Sequence, residues 1–173
     1  IFLNNLSSLT IESWVKAYSD GQVMSNHSPG STWESVELST VWFIINAGNG
    51  QGSRQILNFN GIVDSSWHHM AAVWDGNEMI LYLDGVLFAG PEAANIPPWH
   101  SNVAIGIGSR RGQTSFLTGN IDELRVWNKP LSLDQILTNM NDTLSIEYYS
   151  TLDSGLIAYC RFDELEDWGV GNT

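Results

Sequence analysis

Apolar and polar positions alternate along most of this chain in short blocks, and turn residues cut the blocks apart. The clearest blocks are Trp67-His68-His69-Met70-Ala71-Ala72-Val73-Trp74, Met79-Ile80-Leu81-Tyr82-Leu83 and Val86-Leu87-Phe88, separated by Asp75-Gly76-Asn77 and Asp84-Gly85. Glycine accepts the positive φ of a tight hairpin and aspartate tolerates it better than most residues, so this run predicts a three-stranded antiparallel meander. With apolar residues on both faces, such a meander needs a cover, which a second sheet would supply.

The same pattern predicts strands elsewhere. Leu9 to Val15 alternates; Val41 to Asn46 is followed by Arg54 to Phe59 as its hairpin partner; Val103 to Gly108 alternates branched residues with Ala and Gly. Ser19 to Ser39 is polar and reads as a long loop or a pair of weak strands, whereas Pro91 to Pro98 reads as a connection. In Asn120 to Trp127, period 2 puts Asp122, Leu124 and Val126 on one face and Glu123 and Arg125 on the other. Leu156 to Phe162 makes a final strand. One helix is predicted: Ser132 with Gln135 three residues on is a capping-box pattern, and Leu133, Ile136, Leu137 and Met140 form one apolar stripe. Trp67, Trp74 and Trp127, all within strand blocks, are expected in the core. Eight or nine short strands and one docked helix describe an all-β chain, a jelly-roll β-sandwich of two antiparallel sheets with the short helix after the late strand. A fibronectin-like or immunoglobulin-like sandwich is the alternative, disfavoured by the length and by the helix.

Composition narrows the partners. The 173 residues carry a net charge of −12, which disfavours nucleic acid and anionic membrane surfaces. No apolar run reaches the ~18 residues of a membrane span, so membrane insertion is not expected. The surplus carboxylates either simply solvate the surface or are available to a hard cation such as Ca²⁺. A single cysteine, Cys160, cannot form an internal disulfide and reads as a small core residue. The lack of an initiator Met and of a signal-like segment suggests a piece of a longer protein.

Candidate chemistry is sparse. His68 and His69 are adjacent on a strand and point to opposite faces, so they cannot share one metal. There is no Gly-x-Ser-x-Gly elbow, no phosphate-binding loop and no strand with alternating Glu and Asp; no catalytic residue is expected, and the protein is read as a non-enzyme. Trp33 and Trp99 lie in polar or connecting segments, where an aromatic either stacks on a sugar ring or pins its loop to the core. Asp122, stranded beside Leu124 and Val126, needs a partner: backbone N–H groups, Arg125, or a cation.

Three motifs in order carry a resemblance. Ser66-Trp67-His68-His69-Met70-Ala71-Ala72-Val73-Trp74-Asp75-Gly76 with Leu81-Tyr82-Leu83-Asp84-Gly85, the run from Gly119 to Ser132, and Leu9 to Lys16 resemble the laminin-G-like jelly-roll modules of the concanavalin A-like lectin/glucanase superfamily. That resemblance implies a non-catalytic binding module of a larger secreted or surface protein, directed at carbohydrate or adhesive, beside neighbouring domains of a multidomain chain. It also implies a Ca²⁺ site at the sandwich rim, with Asp122 as a ligand. A protein-interaction or structural spacer module without a small ligand is the alternative, aimed at a cell-surface protein; a glycoside hydrolase ranks below both. Residues 1–154 would form the module. Residues 155–173, a strand and an acidic tail, would either close the sandwich or lead into a following repeat.

Overall fold

In a computed structural model, residues 3, 6–27, 34–46, 54–95, 98, 105–110, 114–142 and 155–163 are described. The strands are β1 (Leu9–Ala17), β2 (Gln22–His27), β3 (Glu34–Ser39), β4 (Trp42–Asn46), β5 (Arg54–Asn58), β6 (Trp67–Trp74), β7 (Glu78–Leu83), β8 (Val86–Ala93), β9 (Ile105–Ile107), β10 (Gly119–Trp127) and β11 (Leu156–Cys160). One helix, α1 (Leu133–Asn141), follows β10. One sheet has the order β11-β10-β1-β6-β7-β8 and the other β5-β4-β3-β2-β9. All pairings are antiparallel, giving the jelly-roll sandwich that the alternation predicts.

The meander of β6, β7 and β8 forms as expected. Its second turn has Asp84 at φ 51 and Gly85 at φ 73, the two left-handed residues that a tight two-residue hairpin demands. In the first turn, Asp75 Oδ1 accepts the backbone N–H groups of Asn77 and Glu78 at 2.8 and 2.9 Å, so the side chain closes the loop. The segment from Ser19 to Ser39 contains the pair of strands, β2 and β3.

Two expectations fail, each for its own reason. Pro91 lies inside β8 rather than in a connection. Because β8 is an edge strand, a residue without an N–H removes no obligatory ladder bond there. Trp67 is 43% exposed, whereas Trp74 and Trp127 are buried. It is the first residue of β6 and shares the outer face with His69, Ala71 and Val73, whereas Trp74, seven residues on, faces the core between the sheets.

The core lies between the sheets. Leu9, Ile11 and Val15 of β1, Met70, Ala72 and Trp74 of β6, and Leu124 and Val126 of β10 meet Met24, Val36, Leu38, Phe43 and Ile45 of the other sheet. Trp74 stays satisfied there by donating from Nε1 to the Ala94 carbonyl at 2.6 Å. Cys160 packs partly buried against the edge of this core.

A smaller apolar cluster on the outside of the six-stranded sheet joins Ala71, Val73 and Trp127 to Leu131 and Ile136 under α1. The capping box is present: Ser132 Oγ accepts from Gln135 N, and the Gln135 side chain accepts from Ser132 N. The apolar stripe of α1 is only partly used, since Ile136 is fully buried while Leu133 and Leu137 are each 38% exposed. Asn139 is the second buried helix residue, because the sheet beneath it offers charge rather than hydrocarbon.

Candidate functional site

The even-numbered residues of β1, Thr10, Glu12, Trp14 and Lys16, face outward, and none of them is aliphatic. Glu12 is fully buried there; its Oε1 accepts from Asn139 Nδ2 at 2.9 Å and from Trp127 Nε1 at 3.1 Å. Arg125, paired across from Glu12, places Nη1 3.6 Å from that carboxylate. The same guanidinium donates to the Asn139 carbonyl and to the Asp142 carbonyl, each at 2.6 Å, and pairs with Glu123. Trp14 Nε1 donates to the Met140 carbonyl at 3.2 Å. Donors from the sheet thus satisfy carbonyls that the helix C-terminus leaves open, and Arg125 puts positive charge at the negative end of the helix dipole. Burial drives the Glu12 carboxyl up from 4.5 to about 7 against the pull of Arg125. The neighbouring His69, stacked edge-on to Trp14, is driven down from 6.5 to about 4 by burial and by Arg125.

Beside this network the sheet opens into a cleft of about 460 Å³, lined by Trp14, Trp67, Asp122, Glu123, Arg125, Met140, Asn141, Asp142 and Asp163. A bulge places Asp122 in it. Glu12 faces Arg125 and Trp14 faces Asp122, so two steps along β1 match three along β10. The extra residue is accommodated with Glu123 in the left-handed region at φ 51. Strict alternation would have turned Asp122 toward the core beside Leu124; the bulge turns it outward to join Trp14. Its Oδ1 accepts the Glu123 N–H at 2.8 Å, the backbone partner that a half-buried carboxylate calls for. Burial raises the Asp122 carboxyl above the usual range, and the nearby Glu123 and Asp163 carboxylates add to the rise.

Four carboxylates and one guanidinium line the cleft, and Arg125 is already committed. Its walls combine hydrogen-bond acceptors with the open face of Trp67. Among the described residues no three Asp, Glu, His or Cys side chains gather closely enough to hold a metal ion. A cation at Asp122 would need backbone carbonyls or water to complete its shell. Trp33 and Trp99 lie outside the described residues. Trp67, expected in the core, is instead exposed; its odd separation from Trp74 within one strand was the sign that the two face opposite sides.

His68, on the face opposite His69, is clamped at the rim. Its Nδ1 lies 2.7 Å from Asp84 Oδ2 and its Nε2 3.0 Å from Asp64 Oδ2. The hydrogen bond with Asp84 leads in raising its pKa above the ordinary histidine value. Asp84 Oδ1 also accepts the His69 backbone N–H at 2.9 Å, tying the hairpin turn to β6.

Two stacked antiparallel sheets, a short helix on the outer face and an open aromatic and acidic cleft define a lectin-like β-sandwich. The chain belongs to the laminin-G-like family of the concanavalin A-like lectin/glucanases superfamily, whose profile matches residues 2–137. It is 22% identical over 166 residues to the non-toxic nonhemagglutinin type E of Clostridium botulinum, a match covering 95% of this chain and 13% of that protein. Among solved structures it resembles a Bacteroides ovatus ATCC 8483 protein proposed to bind carbohydrate, with a TM-score of 0.67 and 18% identity over 95% of this chain and 47% of that one. A heptameric SAP-like pentraxin from Limulus polyphemus gives 0.55 and 18%, covering 77% and 69% of the two chains. Domain 4 of an extracellular GH43 arabinanase from Geobacillus stearothermophilus, solved with arabinotriose, gives 0.53 and 18% over 79% and 68%. At such identity the structural likenesses establish the fold alone. Among the described residues no helix is long and apolar enough to cross a membrane.

Proposed function

We propose that this protein is a non-catalytic carbohydrate-binding module of a larger extracellular or cell-surface protein, and that the cleft beside the end of α1 receives the sugar. The observation that carries this reading is the half-exposed Trp67 at a cleft that also presents Trp14 and the outward-turned Asp122. An exposed indole face stacks on the apolar side of a pyranose or furanose ring, while carboxylates accept its hydroxyls. The acidic lining disfavours anionic ligands and suits neutral, hydroxyl-rich ones. The carbohydrate assignments of the Bacteroides protein and of the arabinanase domain support the same reading.

Calcium belongs to the proposal as an accessory. Asp122 would be its carboxylate ligand, and a cation would relieve the burial and like-charge crowding felt by that group. Trp33 and Trp99 remain proposed as further stacking residues. A glycan array run with the parent protein, Trp67→Ala and Asp122→Ala, each with and without a chelator, tests the reading. Hits should fall about tenfold or more in Trp67→Ala, and chelation should weaken the parent but leave Asp122→Ala unchanged. An array without hits for the folded parent would favour the alternative, a protein-interaction module. Hits indifferent to Trp67 would move the site away from this cleft.

A further inference from the structure

Trp67 stands half out of the sheet at the cleft, and two carboxylates hold the chain on either side of it. Asp64 Oδ1 accepts the Ser66 N–H at 2.8 Å, while Asp64 Oδ2 lies 3.0 Å from His68 Nε2. Asp84 repeats the grip one residue further on: its Oδ1 accepts the His69 N–H at 2.9 Å, and its Oδ2 lies 2.7 Å from His68 Nδ1. Ser65, in the left-handed region at φ 67, donates its N–H to the Ala17 carbonyl at 3.1 Å and seats the loop on the end of β1. His68 thus ties the β5–β6 loop to the β7–β8 turn, and Trp67 lies inside the tie.

Both of these bonds need a protonated ring. A neutral imidazole has one N–H, so its other nitrogen would turn a lone pair toward a carboxylate oxygen. Asp64 and Asp84 are the charged groups that face the ring among the described residues: β1 sets Val15 across from His68, and Lys16 and His69 belong to the opposite face. The bond with Asp84 leads in holding the His68 pKa above its ordinary value, against partial burial. The bond with His68 leads in holding Asp64 below the usual carboxylate range. The order this clamp supplies is therefore present below the ordinary histidine pKa and is lost as pH rises through the raised folded value. Asp84 makes the shorter contact and is fixed by the His69 N–H as well, so the ring keeps its last proton on Nδ1. The arm released is the one to Asp64, which borders Trp67.

We propose that His68 is a positioning residue for Trp67: its imidazolium locks the indole at the cleft, and loss of the ring proton loosens the lock and weakens ligand binding there. The effect on binding rests on the carbohydrate reading of that cleft; the lock itself does not.

NMR of the whole protein without ligand, from about pH 5.5 to about pH 9, reads the lock. The Trp67 indole N–H, assigned by its absence in Trp67→Phe, should shift with the same midpoint as the His68 ring. Asp64→Asn, at an exposed position, should lower both midpoints together, and His68→Gln should leave the indole signal flat across the range. Glu12 titrates at about 7 on the outer face, so Glu12→Gln should keep the Trp67 transition. A glycan from the array should then bind about fivefold or more weakly above the His68 midpoint than below it, and by linkage should raise that midpoint when bound. Separate midpoints for Trp67 and His68, a Trp67 transition that survives in His68→Gln, or its loss in Glu12→Gln would each overturn the lock, whether or not a sugar binds. Affinity unchanged across the His68 midpoint would overturn the regulation. Matched midpoints without any glycan hit would uphold the lock and remove only the carbohydrate reading.

Discussion

Glu12 and His69 sit beside each other under α1 with displaced proton affinities of opposite sense. Glu12 rises from 4.5 to about 7 in the folded protein, so between those values the native state holds a proton that the unfolded chain has released. Its contribution to stability is therefore present at low pH and lost as pH climbs toward 7. His69 falls from 6.5 to about 4, so it stays neutral when the unfolded chain would protonate; its contribution appears as pH rises and is lost as pH falls through that window. The two dependences overlap and oppose each other, so between them they largely cancel across mild acid. Glu12→Gln breaks the balance. Relative to that variant, the parent should lose on the order of 3 kcal/mol between pH 4.5 and pH 7.5. Urea midpoints for the two proteins at both pH values read the difference directly, and parallel profiles would show that Glu12 is already ionised in mild acid.

Helix α1 shows which elements an alternation pattern reveals and which it conceals. Its start is written locally: Ser132 and Gln135 meet across one turn whatever the rest of the chain does. What it docks on is not local, because Glu12 and Arg125 come from strands far apart in the chain. A polar anchor therefore replaced part of the apolar stripe. Asn139→Ala leaves Glu12 Oε1 without its amide donor and should cost about 2 kcal/mol, whereas Leu133→Ala, at an apolar but half-exposed position, should cost less than about 1 kcal/mol. Thermal melts of the two variants test the ranking, and a larger loss for Leu133→Ala would restore the amphipathic reading. The same distinction governs the site. Asp122 was legible as a carboxylate needing a partner, but its face was not, because one left-handed residue at Glu123 resets the period of β10. Trp67 went astray differently, since alternation sets it on the face opposite Trp74, and which of the two faces meets the second sheet is decided by the whole topology. Pro91 was misplaced because a strand's rank within its sheet, edge or centre, is decided by the whole topology.

At the scale of the molecule, the last strand decides where the sandwich ends. β11 pairs along β10, with Leu124 opposite Cys160 and Arg125 opposite Tyr159. Ile157, Ala158 and Cys160 pack against the main core, and Leu156 against the cluster under the helix. Tyr159 adds a hydroxyl bonded to Glu123 and a ring 5.0 Å from the Arg125 guanidinium, and Asp163 completes the cleft wall. The helix anchor, the outer core and the candidate sugar cleft therefore share one dependence on residues 155–163. If these residues close this sandwich, a chain ending at residue 154 should expose the edge of β10 and melt about 10 °C lower. It should also lose any glycan binding that depends on Trp67. If they instead open a following repeat, the shortened chain should keep both its melting temperature and its ligand. Calorimetry of the two chains distinguishes these outcomes, because the partly buried side chains of β11 reach both clusters and a closing strand would take those contacts with it.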